Sequence, residues 1–477
     1  MSDFTPFDKP LRKLQAEDLR ALRSVAEGWY VEYKSVVPDA RSIAKSISAF
    51  SNTYGGWLFY GIEERDRRNC VAGNFPGIAN DDLDGLLQRI RQAAAVSLNP
   101  TPHFEVNAVS GPDTELGLAV DRSVICIQVP RGQAAPYVHI SGRIYRRVGD
   151  GSEPKPETDR FVLDQLWQRG REIKDEYADW LSRDLELSKG ENERPFLRMF
   201  LVPDLWRDRD IWADLTTSRV REIMAATNDT EETFSITPFD SVHRTVSGYV
   251  CRQLGGNDPF SLSATWFLKP NLVSEVIIPL PLFDGVETWR IVSELDGYEH
   301  GERYAEVLRR MGHANPSIVD LNFVFGSLLG IMHIQSLLNR EAGHEGSIFI
   351  KSELINVWRV NPFLDAESVI VHQEQHGVPM CLQGRFYAPP GKDPESFVEI
   401  PVIEDMDDVR QRKLWRAIMA FEAIAHAFGI ETGSDTAGRS DTEMVLIHAD
   451  LFGAAQRANI AQERRNERLG RRNATAD

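Results

Sequence analysis

The segment EGWYVEYK, residues 27–34, decides the fold of the first part of this chain. Its second half, residues 30–34, combines aromatic and β-branched residues that suit a pleated, half-buried surface, and so predicts a short strand. Side chains alternate faces along a strand, so Glu32 and Lys34 are expected to project together. A carboxylate beside an ammonium, with the acidic pair Glu63-Glu64 following, predicts a site for a divalent cation and a phosphate.

A helix and further strands follow this segment at short intervals. Asp39, directly after a proline, is a suitable N-cap for a helix whose apolar stripe includes Ile43 and Ile47. Gly55 and Gly56 are expected to end that helix, because glycine tolerates the left-handed backbone of such a stop. The other predicted elements are a helical segment at 11–22, a strand at 57–62, a helix at 83–90 and strands at 123–129 and 143–148. This alternation predicts an α/β domain with a mixed sheet over residues 12–155.

The rest of the chain is expected to form a larger mixed α/β domain. With 477 residues the chain is long enough for two or three domains. A turn-rich linker at 149–157 leads into a charged helical stretch, which gives a helical linker over 156–192. The larger domain is predicted over 193–435, and a C-terminal tail over 436–477. The most apolar stretch, 321–338, carries several polar side chains and is predicted to be a buried helix rather than a membrane span.

Composition bounds the class of protein. The net charge of −17 argues against nucleic-acid binding, but acidic and basic side chains balance over residues 1–155, so the excess lies downstream. The four cysteines form no CxxC pair, and the N-terminus lacks a signal-peptide pattern. These features predict a cytoplasmic protein without a disulfide framework.

Several blocks of the first domain occur together in a recognisable order. They are Glu27-x4-Glu32-Tyr-Lys34, AFSNTYGG at 49–56, LFYGIEE at 58–64, Val129-Pro130, Pro136 and IYRRVG at 144–149. In this order and spacing they resemble the Schlafen-type AlbA-like domain, also called AlbA_2 or divergent AAA, over roughly residues 15–155. No GxxxxGK[ST] phosphate loop occurs anywhere in the sequence, so the ATPase idea attached to the older family name has no support.

The resemblance implies a metal-dependent nuclease site. Eukaryotic members of the family include ribonucleases that cut transfer RNA and ribosomal RNA with a divalent metal. Carried over by motif, the catalytic and metal-binding acids are Glu27, Glu32 and Glu64, with Mg²⁺ or Mn²⁺ as cofactor and Lys34 stabilising charge on the phosphate. Glu64 stands where the family's nuclease pattern has Asp, and Glu63 is an alternative third acid.

Basic and aromatic side chains complete the predicted interface. Lys34, Arg143, Arg146 and Arg147 are the candidate contacts to a nucleic-acid backbone. Arg143 and Arg147 are expected on one strand face, with Arg146 on the other. Trp29 and the neighbouring Tyr30 either stack on bases or pack in the core, and core packing is the expectation.

The first interpretation is therefore an endoribonuclease acting on structured RNA such as transfer RNA, in bacterial antiphage defence or stress response. Because only one AlbA-like unit is found, a homodimer or higher homo-oligomer is expected to rebuild the two-copy groove of eukaryotic relatives. The larger domain would sense a trigger, restrain the nuclease or mediate assembly. The competing interpretations are a non-catalytic DNA- or RNA-binding regulator and an assembly scaffold, and no membrane partner is expected.

One further pattern resembles a metal motif. His372-Gln-Glu-Gln-His376 is similar to HExxH, with its acid one position late. The flanking Val369-Ile-Val and Gly377-Val-Pro predict a strand entering a turn. Without a helix the two histidines need not share a face, so no metal site is predicted there.

Overall fold

A computed structural model describes residues 4–65, 70–148, 153–206, 215–225, 239–253, 262–284, 287, 290–344, 346–402, 409–430, 450–458, 460–461 and 464. The chain forms two compact units, Met1–Leu181 with Trp206–Arg209, and Ser182–Leu205 with Asp210–Asp477. The predicted tail, 436–477, lies largely outside the described residues.

The first unit contains three α-helices and short 3-10 segments. The α-helices are α1 (Ala40–Asn52), α2 (Leu83–Ser97) and α3 (Arg160–Ser182), and the 3-10 helices are Leu11–Lys13, Ala16–Ser24 and Asn80–Asp82. The strands are β1 (Val31–Lys34), β2 (Gly56–Tyr60), β3 (Glu63–Glu64), β4 (Ala72–Asn74), β5 (Ile78–Ala79), β6 (Leu98–Asn99), β7 (Glu105–Ser110), β8 (Arg122–Val129), β9 (Val138–His139), β10 (Tyr145–Arg146) and β11 (Lys155–Pro156).

A five-stranded mixed sheet organises this unit. Its strands run in the order β1-β2-β8-β5, with β7 also paired to β8. β1 and β2 are parallel, so the chain must cross over between them, and α1 provides the crossover. One sheet face packs against α1 and α2 through residues such as Ile43, Leu58 and Ile127. The other face packs against the N-terminal 3-10 segments through Val31 and Tyr33. Glu32 therefore lies on the α1 side of the sheet.

Local signals explain the boundaries of α1. Asp39 caps it as predicted, because its carboxylate accepts hydrogen bonds from the backbone N–H groups of Arg41 and Ser42. The turn after α1 has Gly55 at φ +74°. A Cβ on Gly55 would lie 2.8 Å from the backbone nitrogen of Arg131, so only glycine fits this close approach.

The structure corrects three elements of the first unit. The predicted strand at 143–148 shrinks to β10, a two-residue strand paired with β11. The predicted N-terminal helix is two 3-10 segments. The predicted helical linker is largely α3, which belongs to the first unit up to Leu181 and packs Leu166 against Ala135 and Tyr137.

The second unit is built around a larger sheet. Its strands are β12 (Phe196–Val202), β13 (Ser241–Thr245), β14 (Gly248–Arg252), β15 (Thr265–Leu268), β16 (Ser274–Pro279), β17 (Leu282–Phe283), β18 (Ser317–Asp320), β19 (Ile348–Ile355), β20 (Val360–Phe363), β21 (Arg385–Ala388) and β22 (Val398–Ile400). Its helices are α4 (Thr217–Ala225), α5 (Ile291–Glu294), α6 (Gly301–Arg310), α7 (Leu321–Glu341), α8 (Glu367–His376) and α9 (Val409–Ala427), with a 3-10 turn at Pro394–Ser396.

Eight strands form an antiparallel sheet in this unit, in the order β13-β14-β15-β16-β12-β19-β21 with β22 also on β19. A second sheet has the order β17-β18-β20. By length and composition alone α7 passes as a membrane span, but 72% of its most apolar window is buried inside the unit. It contributes to the main core with α9, as predicted for a buried helix. The predicted fold class, a mixed α/β N-terminal domain followed by a larger mixed domain, is confirmed.

The segment His372–His376 is not the predicted strand. It forms the second half of α8, which ends at Gly377 with φ +91°. The local β-branched run Val369-Ile-Val was the misleading signal, because Val369 and Ile370 are buried by tertiary packing and the helix is set by that burial. The two histidines, four residues apart on a helix, therefore do share a face.

Candidate functional site

Glu32 lies at the centre of the candidate site, and its carboxylate is fully engaged. The residue is 2% exposed on β1, facing α1. One oxygen accepts a hydrogen bond from the Ser46 hydroxyl on α1 at 3.1 Å and lies 3.7 Å from the Lys34 ammonium. The other accepts from the Arg147 guanidinium at 2.7 Å. Glu32 and Lys34 therefore project to the same side of the strand, as predicted. The buried Arg147 side chain is an additional cation that contacts Glu32.

Arg147 is a structural cation rather than a surface contact. Its exposed fraction is 0%. Beyond Glu32, it donates to the backbone carbonyls of Gly28 and Val31, and its guanidinium lies 4.8 Å from the centre of the Phe50 ring. A side chain buried this completely cannot contact a nucleic-acid backbone, so this part of the predicted interface is wrong.

Burial dominates the electrostatics of this pair. It raises the pKa of Glu32 above the usual value for a glutamate, and the charges of Arg147 and Lys34 only partly oppose that effect. Burial also lowers the pKa of the Arg147 guanidinium, with Glu32 opposing. The pKa of Tyr60 rises through its own burial and through the nearby charge of Glu32. The pair is held in a site of low dielectric constant, where each charge depends on the other.

Glu27 and Glu64 flank one short segment of chain. The Glu27 backbone N–H donates to the Cys70 carbonyl, and Glu64 pairs with Ala72 in the β3–β4 hairpin. Glu27 is 8% exposed, and neither of its carboxylate oxygens has a hydrogen-bond partner in the described part of the chain. Glu64 is half-buried and Glu63 is exposed. The fold thus brings Glu27 and Glu64 to either side of the segment 70–72, and β3, which carries Glu64, also contacts β1, which carries Glu32.

These acids do not form a metal cage as they stand. Among the residues that the structure describes, no group of three or more His, Cys, Asp or Glu side chains is placed to hold a metal ion. Magnesium requires several oxygen ligands in near-ideal geometry, whereas both oxygens of Glu32 already interact with cations. Only Glu27 offers buried oxygens without a partner. The three-carboxylate metal site stays a prediction that this arrangement does not support.

The remaining predicted basic contacts differ in availability. Lys34 has 36% of its side chain exposed and Arg143 is exposed. Arg146, predicted to contact a nucleic-acid backbone, is instead paired with Glu157 of the same unit at 2.6 Å. The expected sharing of one face by Arg143 and Arg147 is also wrong, because one is exposed and the other buried.

Four aromatic rings form an exposed cluster beside this site. We call Phe4, Trp29, Tyr30 and Tyr54 the aromatic cluster. The Phe4 and Tyr30 rings are stacked at 5.1 Å, and Tyr54 lies 5.6 Å from Trp29 and 6.1 Å from Tyr30. Phe4 and Tyr30 are each 37% exposed and Tyr54 is 47% exposed. The expectation that Trp29 and Tyr30 pack in the core is therefore wrong for Tyr30, whose ring is exposed.

An arginine-lined cavity lies against the same α1–β2 turn. Its volume is about 430 Å³, and its lining residues are Arg131, Gln133, Gln165, Gln168, Arg169 and Glu172. Arg169 donates to the Asn52 carbonyl at 3.1 Å, just before Tyr54. The backbone of Arg131 touches Gly55, just after Tyr54. Sequence reasoning missed this cavity because its residues come from the loop after β8 and from α3, which were not assigned to the site.

Comparisons with known proteins agree with the domain but not with a specific activity. No curated protein matches the chain. A crystal structure of the DIP2311 protein from Corynebacterium diphtheriae is 14% identical, with 69% of this chain and 79% of that chain covered and a TM-score of 0.21. Residues 27–156 match the family model described as Schlafen, AlbA_2. The predicted resemblance is thereby confirmed: residues 27–156 form a Schlafen AlbA_2 domain, and this family supports a nucleic-acid-related function.

Proposed function

We propose that the first unit binds RNA that exposes unstacked bases, such as the loops of transfer RNA. In this proposal Glu32 has a structural role and not a catalytic one. The observation that carries this proposal is the exposed aromatic cluster at the turn that Arg131 and Arg169 also contact. Bases would stack on the rings, and a neighbouring phosphate would meet the exposed Arg131, while the buried Arg169 holds the turn through the Asn52 carbonyl.

The aromatic cluster has the chemistry of a stacking platform. Proteins that bind single strands use exposed rings because every base has a π face, and each stacked base contributes roughly 1–3 kcal/mol. Tyr30 and Tyr54 are exposed enough to receive a base, while Phe4 stacks on the Tyr30 ring and Trp29 contacts Tyr54. Rings held against one another lose little conformational freedom on binding.

The cavity beside the turn supplies positive charge within a chain of net charge −17. Arg131 is exposed, and three glutamines share the cavity lining with the arginines. Guanidinium and amide groups donate to phosphate oxygens, which positions a strand without reading its sequence. Glu172 in the same lining limits the net positive charge, so affinity is expected to depend on stacking as well as on salt.

The binding test uses the full chain. Fluorescence anisotropy with labelled single-stranded RNA, matched DNA and total transfer RNA is measured at several salt concentrations. Tyr30→Ala and Tyr54→Ala are each expected to weaken binding roughly 5- to 150-fold, the equivalent of one lost stack. Arg131→Ala is expected to weaken binding and to reduce its salt dependence.

Trp167→Ala is the matched control, because Trp167 is 50% exposed on α3 in the same unit but lies on the helix face opposite the cavity-lining residues Gln165 and Glu172. It should bind as wild type does. Equal affinity of the wild type and both tyrosine variants would refute the platform. Equal loss in all variants, including Trp167→Ala, would point to a fold defect instead.

A second candidate is a metal-dependent endoribonuclease, and one observation favours it: the two buried oxygens of Glu27 lack partners among the described residues. Transfer RNA is incubated with the full chain in Mg²⁺, Mn²⁺ or EDTA. Glu27→Gln and Lys34→Ala are the informative variants, since a substitution of Glu32 would also break its buried ion pair with Arg147 and disturb folding. Metal-dependent cleavage lost in Glu27→Gln, with the secondary structure intact, establishes the nuclease. Salt-sensitive binding without cleavage would instead support the non-catalytic RNA-binding function.

A further inference from the structure

The second unit contains a cavity lined by two histidines of one helix. It lies where α8 ends and has a volume of about 210 Å³. The lining residues are Val369, His372, Gln373, His376, Gly377, Val378, Pro379, Gly429 and Ile430. His372 and His376 sit one helical turn apart, with ring centres 4.5 Å from each other. The region is separate from the AlbA_2 domain, which ends at residue 156.

Gln373, which lies between the two histidines in the sequence, has a buried side-chain amide without a hydrogen-bond partner among the described residues. It is 1% exposed, and in the described part of the chain neither its carbonyl oxygen nor its amide nitrogen has a hydrogen-bond partner. Buried polar groups in folded proteins are almost always satisfied, so an unsatisfied amide at a cavity wall indicates a missing ligand. A ligand in this cavity would meet an imidazole from each turn and the amide between them.

The acidic side chains of α8 are engaged elsewhere. Both carboxylate oxygens of Glu374 accept hydrogen bonds from Arg303, and Glu367 is paired with the same arginine. Charged partners therefore occupy the opposite side of α8 and leave the histidine side to neutral donors. Imidazole nitrogen is a common protein ligand of zinc, copper and nickel, and an amide oxygen serves as a weak additional ligand at some copper sites.

We propose that His372, His376 and the Gln373 carbonyl oxygen bind a divalent transition metal ion such as Zn²⁺, Ni²⁺ or Cu²⁺, with water in the remaining positions. Two zinc–nitrogen bonds at a tetrahedral angle place the nitrogens about 3.3 Å apart, which is compatible with ring centres at the observed separation. The helix C-terminus also favours a cation, because its last carbonyl groups carry partial negative charge. The cavity has room for the ion and its waters.

The bound ion would lie between the end of α8 and a second segment of the unit. The cavity wall opposite α8 is Gly429-Ile430, directly after α9. Because all three proposed ligands belong to the last turns of α8, binding would stabilise the native state of that helix end, and the midpoint of thermal unfolding would rise with metal concentration.

Isothermal titration of the untagged full chain, previously treated with EDTA, tests the proposal with Zn²⁺, Ni²⁺, Cu²⁺ and Mg²⁺. Saturable binding of one equivalent is expected in the order Cu²⁺ above Ni²⁺ and Zn²⁺, with no binding of Mg²⁺ at this site. The double variant His372→Ala/His376→Ala should lose at least roughly 30-fold in affinity. His243→Ala, an exposed histidine on β13, is the control and should bind as wild type does.

Gln373→Leu separates a ligand from a packing residue. It should weaken metal binding yet raise the unfolding temperature of the metal-free protein, because an unsatisfied amide is replaced by an apolar side chain of similar size. If Gln373 were only structural, the variant would unfold earlier and bind metal normally. Failure to bind any of the three transition metals, or equal affinity in the double histidine variant, overturns the site.

Discussion

Replacing Arg147 by methionine would leave Glu32 as an unpaired carboxylate in the interior of the first unit. The arginine forms a 2.7 Å ion pair with Glu32 and donates to the Gly28 and Val31 carbonyls, all in a fully buried position. Breaking a buried pair by removing one partner costs about 3–5 kcal/mol. Adding the lost bonds to the two carbonyls, each about 0.5–1.5 kcal/mol, we expect a total of about 4–8 kcal/mol at neutral pH.

That loss is close to the whole stability of a small domain, about 5–15 kcal/mol. In the full chain it is best followed by hydrogen exchange with mass spectrometry, since peptides from β1 and β2 report the opening of the first unit alone. Peptides from β12 and β19 in the second unit serve as an internal control. Their protection should not change in Arg147→Met.

The pH dependence of this loss has a definite sign. Burial already raises the folded-state pKa of Glu32, and removing Arg147 takes away an opposing charge, so that pKa rises further. An acid whose folded pKa exceeds its unfolded pKa stabilises the protein when protonated, and the contribution is lost as pH rises through the folded pKa. The variant should therefore recover stability as the pH falls from 7 toward 4.5, the unperturbed value.

A double variant isolates the pair. Glu32→Gln/Arg147→Met removes both charges, and we expect it to be more stable than Arg147→Met alone by about 2 kcal/mol, because no buried charge is left unpaired. A cost below about 1 kcal/mol for Arg147→Met, or simple additivity in the double variant, would refute the view that Glu32 is a structural partner. Either result would return Glu32 to the list of candidate metal ligands.

Three further outcomes follow from local features. Asp39→Ala removes the two backbone bonds that cap α1 and should lower the free energy of unfolding by about 1 kcal/mol, measured by denaturant titration against Asp39→Asn, which retains a capping oxygen. Gly55→Ala places a methyl group 2.8 Å from the Arg131 backbone at φ +74°, and we expect a loss of about 2 kcal/mol or more; unchanged stability would show that the turn can relax. Burial lowers the pKa of His333 to about 4, so the folded state resists protonation of this side chain. The free energy of unfolding should therefore fall by about 1–2 kcal/mol as the pH drops from 6.5 to 4. Thermal unfolding of His333→Leu over the same pH range should not show this loss.

Local signals were enough to predict the β1–α1–β2 core of the first unit. Asp39 caps α1 and Gly55 ends it through interactions within a few residues, which sequence patterns record directly. The parallel pairing of β1 and β2 then follows from the helix between them. The alternation that places Glu32 beside Lys34 belongs to the same class of local information.

The contacts that define the site are long-range and leave no pattern in the sequence. Arg147 meets Glu32 across 115 residues, and nothing near either residue distinguishes a buried arginine from an exposed one. The helix at His372–His376 was missed for a related reason: its valines and isoleucine favour a strand locally, and the tertiary core overrides that preference. The exposure of Tyr30 likewise depends on which segments cover it, and Phe4 covers only one side.

The turn between α1 and β2 has a bearing on how long a bound strand must be. Tyr54 of the aromatic cluster lies in this turn, and Arg131 of the cavity lining has its backbone against Gly55, so we expect an isolated nucleotide to reach either the rings or the cavity but not both. An oligomer that spans both gains the second contact at high effective concentration. Affinity measured against strand length should then rise abruptly at the spanning length rather than grow evenly with each added nucleotide.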